Sequence, residues 1–158
     1  MTTIKYVSPI GDILASAQDG FITQLYFDGG RTTPPTLQAT KAGGENILHT
    51  LTQELDAYFA GALQNFTVPL RPEGTAFRKT VWEALQTIPY GETISYKELA
   101  HRIGNPAAIR AVGGANHNNP ISIIIPCHRV IGANGKLVGY GGGLNVKEFL
   151  LEQEKKYM

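Results

Sequence analysis

Short apolar segments separated by turn residues occupy the first 27 positions of the chain. Three of them predict strands, at Ile4–Val7, Ile13–Ala17 and Phe21–Phe27. Asp19-Gly20 lies between the second and third segments, and this dipeptide is typical of a two-residue hairpin turn. The pattern therefore predicts an antiparallel sheet at the start of the chain.

The spacing of apolar residues becomes helical later in the first half. Asp28–Gly44 is a polar connection. Residues 45–60 then place their apolar side chains on one face of a predicted helix, which Gly61 ends. That face consists of Ile47, Leu48, Leu51, Leu55 and Phe59. Phe66–Leu70 predicts one more strand. A composition shift at Arg71-Pro72-Glu73-Gly74 predicts two domains, residues 1–72 and 73–158.

Three helices are predicted next. The first carries Phe77, Val81, Trp82, Leu85 and Ile88. A capping box at Ser95–Glu98 opens the second, which Gly104 ends, and Asn105 is expected to cap the third with Pro106 at its first position. Residues 95–117 thus have the outline of a helix-turn-helix, although many helix pairs with this outline bind nothing.

The third helix is rich in small residues, namely Ala107, Ala108, Ala111, Gly113, Gly114 and Ala115. Such a narrow helix would fit a confined groove such as the DNA minor groove. Close packing against a neighbouring helix is the alternative explanation.

Cys127, the only cysteine, follows a run of β-branched residues. Ile121–Ile125 predicts an interior strand that Pro126 ends, so the thiol would lie at a strand-to-turn junction. His128 next to it can raise the thiolate fraction, directly or through a water. A lone cysteine in apolar surroundings can also be an inert core residue.

Composition excludes several classes of protein. The 158 residues are 42% hydrophobic and 17% charged, as in ordinary globular proteins. The first residues lack the apolar segment of a signal peptide, and no run of eighteen apolar residues predicts a membrane helix. One cysteine excludes an internal disulfide and fits a reducing compartment, so we expect a cytoplasmic protein, or a nuclear one in a eukaryote.

The net charge of +1 hides an uneven distribution. Residues 1–70 carry three basic and six acidic side chains, whereas residues 71–158 carry eleven and seven. Leu99–Lys147 contains no acidic residue. A polyanion could therefore approach this stretch, with modest salt dependence.

Six spaced motifs between Thr75 and Glu154 point to one family. They are Gly91-Glu92-Thr93-Ile94-Ser95-Tyr96, Gly104-Asn105-Pro106, Arg110-Ala111-Val112-Gly113-Gly114-Ala115, Asn119-Pro120, Pro126-Cys127-His128-Arg129-Val130 and Tyr140-Gly141-Gly142-Gly143-Leu144. The chain resembles the O6-alkylguanine-DNA alkyltransferases. This resemblance implies an α/β (α+β) fold, in which an RNase H-like antiparallel-sheet domain precedes a mainly helical, winged-helix-like helix-turn-helix domain.

The resemblance implies DNA repair by base flipping. One alkyl group would pass irreversibly from O6-alkylguanine in double-stranded DNA to Cys127, with O4-alkylthymine as a further candidate substrate. Support for the nucleophile would come from His128 and a water bridging to Glu154. Tyr96 would protonate the leaving guanine, and Asn119 would brace the turn around the acceptor.

Further roles carry over from the family to the DNA interface and the base pocket. Arg110 would fill the stack vacated by the flipped base, on a helix that presents Ala111, Gly113 and Gly114 to the minor groove. His117 stands where relatives often have arginine, which would make a contact there pH-dependent. The base pocket would use the backbone of Val130, Tyr140 and Gly141, with space at Gly142. Gly141 replaces a hydroxyl residue of other members.

The sequence predicts no metal, cofactor or membrane partner, and we expect a monomer. Asn145 is expected to cap the final helix, with Leu144 and Phe149 as a hydrophobic staple. Two alternatives stay open at this stage. A cysteine hydrolase would turn over repeatedly, and a non-enzymatic binder of alkylated DNA would normally lack the acceptor cysteine.

Overall fold

The computed structural model describes residues 2–28, 46–132 and 143–158. Its first element is a three-stranded antiparallel sheet in the order β1-β2-β3, formed by Thr2–Ser8, Gly11–Gln18 and Phe21–Phe27. Asp19 and Gly20 both have positive φ, at 53° and 81°, as a type I′ hairpin turn requires. The three predicted strands and the hairpin are confirmed.

Helix α1, Asn46–Phe59, packs on this sheet. Leu48, Leu51 and Leu55 are fully buried, as the helical spacing predicts. The last buried position is Tyr58, whereas Phe59 is half-buried.

The second half consists of short helices around Trp82. The helices are α2 at Ala76–Leu85, α3 at Tyr96–Arg102, α4 at Ile109–His117 and α5 at Leu144–Lys156. The Trp82 indole N–H donates to the Ala115 carbonyl at 2.9 Å, which fastens α2 to α4. A two-stranded parallel ribbon joins β4, Ile94–Ser95, to β5, Val130–Ile131. The predicted mixed α/β architecture, with a helix-turn-helix, is confirmed.

Two predicted strands are wrong. In Phe66–Leu70 only Leu70 pairs, in a single bridge with Ile22, because Pro69 has no N–H to extend a ladder. In Ile121–Ile125 only Ile121 pairs, with Leu25 of β3. The chain then turns at Ile123, whose φ is +71°, and the Ile124 N–H donates to the Ser122 carbonyl. A turn of this kind is rare and strained for a β-branched residue.

Two predicted helix caps also need correction. Asn105 does not cap α4, because residues 105–108 form a separate turn in which the Ala108 N–H donates to the Asn105 carbonyl, and α4 begins one turn later. Asn145 lies inside α5, and Gly143 precedes that helix with a φ of +102°. Leu144 is therefore the first helical residue, and the staple expected from it is wrong. The cap at Ser95 is confirmed, since its hydroxyl accepts from the Glu98 N–H at 3.0 Å.

Residues of both halves share one apolar core. It runs from Ile13 and Leu25 of the sheet through Leu55 of α1 to Leu85 and Leu150 of the helical half. Within the described ranges, no helix is long and apolar enough to cross a membrane.

Candidate active site

The nucleophile Cys127 is the first residue of a short 3-10 turn, Cys127–Arg129, which we call the acceptor turn. The acceptor turn lies between β5 and the turn formed by Ile121–Ile125, which we call the isoleucine turn. Cys127 is 5% exposed. Burial raises the pKa of its thiol to about 11, although a hydrogen bond with the Asn119 side chain and the charge of Lys147 act in the opposite direction. The thiol is therefore protonated at rest.

Glu154 of α5 accepts hydrogen bonds from two side chains of the acceptor turn. It is 1% exposed, and its Oε2 accepts from His128 Nε2 at 2.7 Å and from Arg129 Nη2 at 3.1 Å. Its Oε1 accepts from Arg129 Nε at 2.7 Å. Burial raises the pKa of Glu154, but His128 and Arg129 outweigh it and hold that pKa well below its usual range. The carboxylate is thus charged and contacts His128 directly.

The bond to Glu154 defines the tautomer of His128. Burial lowers the pKa of His128 despite the neighbouring carboxylate, so the imidazole is neutral near pH 7. With Nε2 donating to Glu154, Nδ1 is the acceptor nitrogen, and it has no hydrogen-bond partner among the described residues. His128 therefore presents a basic nitrogen one residue from the thiol.

Asn119 ties together the two ends of the isoleucine turn. Its Nδ2 donates to the Ile125 carbonyl at 2.7 Å, and its Oδ1 accepts from the Ile121 N–H at 2.9 Å. The Cys127 N–H also donates to the Ile125 carbonyl. One side chain thus holds the strained turn that carries the nucleophile.

Tyr96, the first residue of α3, lies half-buried beside the acceptor turn. Burial raises the pKa of Tyr96, a hydrogen bond from Asn116 opposes this effect, and Cys127 adds to it. Asn116 also donates to the Cys127 carbonyl at 3.4 Å. The phenol is consequently protonated and close enough to Cys127 for the two groups to interact electrostatically.

Two family models match the chain along almost its whole length. The 6-O-methylguanine DNA methyltransferase ribonuclease-like domain matches residues 1–72, and the DNA binding domain of the same enzyme matches residues 76–156.

The chain belongs to the 6-O-methylguanine DNA methyltransferase family.

Individual relatives agree with this assignment. The methylated-DNA--protein-cysteine methyltransferase of Methanosarcina mazei is 58% identical over 150 residues, which are 94% of this chain and 93% of the relative. That of Methanosarcina acetivorans is 51% identical over 149 residues, covering 94% and 95%. The crystal structure of Mycobacterium tuberculosis O6-methylguanine methyltransferase has a TM-score of 0.87 at 46% identity, covering 99% of this chain and 94% of that one. The structure of Mycobacterium tuberculosis OGT in complex with DNA has a TM-score of 0.85 at the same identity and coverage.

The residues that the resemblance assigns to DNA contact lie on α4. Arg110, Gly114 and His117 form one exposed stripe of this helix. A Cβ at Gly114 would meet nothing within 4 Å, and one at Gly113 would make only ordinary contact with the Tyr96 ring at 3.9 Å. The neighbouring helices therefore do not require these glycines. Ala111 is also exposed.

The described cations of the acid-free stretch are divided between the surface and the interior. His128, Arg129 and Lys147 are buried, and Arg102 pairs with Glu98 at 3.2 Å. The cations that a polyanion could meet are therefore the exposed ones, which among the described residues are His101, Arg102, Arg110 and His117.

Part of the predicted base pocket lies outside the described residues, namely Tyr140, Gly141 and Gly142. Val130 is described and buried, and its carbonyl accepts from Lys147 Nζ at 2.7 Å. The domain boundary after residue 72 stays a prediction, as do the monomeric state and the absence of a metal.

Sequence reasoning missed three polar residues of the site: Tyr58, Arg129 as a partner of Glu154, and Lys147. A tyrosine on the buried face of α1 was the available signal for the first, because buried hydroxyls usually find a partner. Arginine within an apolar motif was the signal for the second, since a buried cation needs a counter-ion.

Proposed function

We propose that this chain repairs DNA by transferring the alkyl group of O6-alkylguanine to Cys127. The observation that carries the proposal is the placement of the lone cysteine beside a neutral histidine that Glu154 orients, in a chain of the methyltransferase family. His128 Nδ1 receives the thiol proton, and the sulfur attacks the alkyl carbon while the bond between that carbon and O6 of guanine breaks. Tyr96 donates a proton to the leaving guanine.

The products are S-alkylcysteine and unmodified guanine. A thioether is not hydrolysed by water at neutral pH, so each molecule would act once. A hydrolase would need an acyl intermediate and repeated turnover, and nothing at the described site favours one.

DNA is the proposed partner, approached through α4. The exposed stripe at Arg110, Gly114 and His117 has open space beside its glycine, which would allow a backbone or base edge to come close. Arg110 would occupy the gap left by the flipped nucleotide, and O4-alkylthymine would be a second candidate substrate. Because the nucleophile must stay reduced, the cytoplasm, or the nucleus of a eukaryote, is the proposed compartment.

Intact mass spectrometry tests this proposal. After mixing with a duplex that contains one O6-methylguanine, the protein should gain the mass of one methyl group, located on Cys127 by peptide mapping. Cys127→Ser should bind the same duplex and gain nothing. Methyl transfer to the serine variant, or to any other residue, would contradict the assignment.

A further inference from the structure

A residue of the first half of the chain reaches into the reactive network. Tyr58 of α1 is fully buried, and its hydroxyl donates to Glu154 Oε2 at 2.6 Å. The Tyr58 backbone carbonyl also accepts from Gln153 Nε2 at 2.8 Å. The ribonuclease-like half therefore contacts the residue that orients His128.

Tyr58 and His128 share the same carboxylate oxygen. Glu154 Oε2 accepts from Tyr58 at 2.6 Å and from His128 at 2.7 Å. Each hydrogen bond donated to a carboxylate stabilises its negative charge and lowers its basicity toward the other donors. Without the Tyr58 hydroxyl, the Glu154 carboxylate would therefore interact more strongly with a protonated His128.

We propose that Tyr58 is a positioning residue for the alkyl transfer, whose hydroxyl holds Glu154 in place and weakens the pull of that carboxylate on His128. The imidazole then stays neutral and able to take the thiol proton near neutral pH. This inference rests on the proposed function of Cys127 and adds a determinant of its rate.

The other charged and titratable groups around Tyr58, His128 and Glu154 do not take over the hydrogen bond that the Tyr58 hydroxyl donates to Glu154. Arg129 and Lys147 both lower the pKa of His128, and they stay in place when only the Tyr58 oxygen is removed. The Tyr90 ring packs edge-on against Tyr58 with centroids 6.3 Å apart. The Tyr90 hydroxyl has no hydrogen-bond partner among the described residues.

The remaining titratable neighbours are Cys127, which faces Lys147, and Tyr157, which acts on Tyr90. Burial raises the pKa of Tyr58 well above its usual value, and Glu154 adds to this effect. Tyr58 therefore remains a donor at every pH at which the protein would work.

Tyr58→Phe removes the oxygen and keeps the packing. The ring contacts with Phe59 and Phe66, and the backbone bond from Gln153, do not involve the hydroxyl. Tyr6→Phe is the matched control, because the Tyr6 hydroxyl also donates to a carboxylate, Asp56 of the same helix, at 2.7 Å on the exposed side.

The test is the pH dependence of Cys127 labelling by O6-benzylguanine in solution, which needs no base flipping. Without the Tyr58 hydroxyl, Glu154 attracts the imidazolium more strongly, so the pKa of His128 rises and the acid limb of the rate moves to higher pH. We expect Tyr58→Phe to lower the rate on that limb by roughly three- to tenfold, the effect of about half to one pH unit, and to approach wild type on the plateau. Tyr6→Phe should keep the wild-type profile.

Histidine NMR titration gives a second measurement that does not depend on activity. His128, one of four histidines, should titrate at higher pH in Tyr58→Phe than in wild type. Superimposable rate profiles and an unchanged His128 titration, with only a lower melting temperature, would overturn the role of Tyr58. Absence of labelling in wild type would instead overturn the proposed function, and the role of Tyr58 with it.

Discussion

Cys127 combines two demands that usually conflict, a reactive sulfur and a resting state that reacts with little else. With burial raising its pKa to about 11, the side chain is a neutral thiol at physiological pH. Because the thiolate is the nucleophilic form, the resting thiol reacts only slowly with other electrophiles. Proton transfer to the neutral His128 would supply the nucleophile once a substrate occupies the site.

Tyr96 is expected to act on the leaving group. Its pKa is raised by burial, so the phenol carries its proton at neutral pH. Tyr96→Phe should slow single-turnover methyl transfer by roughly ten- to ten-thousand-fold, the range for a positioned proton donor, with nearly unchanged duplex affinity. Rapid-quench kinetics and a binding titration would measure the two effects. A wild-type rate in the variant would leave Tyr96 with a packing role only.

At the residue level, the sequence is most informative where the residues are neighbours in the chain. Pro126-Cys127-His128-Arg129 places the nucleophile next to the proposed base, so this pairing needs no knowledge of the fold. Tyr58 and Glu154 are 96 residues apart in the sequence, and neither local sequence indicates that the two side chains are in contact. Only the docking of α1 against α5 reveals it.

At the scale of elements, the turn before Cys127 shows what an apolar run can and cannot predict. Ile121, Ile123 and Ile125 are buried as expected. Burial does not require a strand, however, and Asn119 supplies the partners that a ladder would have supplied. The same limit explains the misplaced cap at Asn105, because cap residues also form isolated turns.

Glu154 stabilises the fold by joining α5 to α1 and to the acceptor turn. Glu154→Gln leaves the buried Arg129 without its counter-ion, and breaking such a pair typically costs about 3–5 kcal/mol. Denaturant unfolding near neutral pH should show this loss, whereas the exposed Glu152→Gln on the same helix should stay within about 0.5 kcal/mol of wild type.

The pH dependence of this stabilisation has a defined sign. The pKa of Glu154 lies below its ordinary value of 4.5, so its contribution is complete above that value and is lost as the pH falls toward the lowered pKa. The difference in unfolding free energy between wild type and Glu154→Gln should therefore shrink in acid. A constant difference across this range would contradict a charged carboxylate in the folded protein.

At the scale of the whole molecule, the two halves act as one unit. The mixed fold was predictable because strand and helix periodicities occupy separate parts of the chain. Their mutual packing was not, because the shared core and the Tyr58 contact depend on tertiary docking. The first half thus stabilises the reactive centre as well as its own sheet.

Arg110 should matter only where a base has to leave a stack. Its exposed position on α4 fits insertion into duplex DNA, which would offset an unstacking cost of about a few kcal/mol. Arg110→Ala should therefore slow repair of duplex substrate strongly and label Cys127 with free O6-benzylguanine at the wild-type rate. Equal losses on both substrates, at an unchanged melting temperature, would assign Arg110 to the pocket instead.

The stoichiometry of methyl transfer tests the central claim most directly. With a large molar excess of O6-methylguanine duplex carrying a radiolabelled methyl group, transfer should rise to one methyl per protein molecule and stop. All of the label should be on Cys127, and an equal amount of guanine should be restored in the DNA. Continued turnover beyond one equivalent, or a plateau with Cys127 unmodified, would contradict the account.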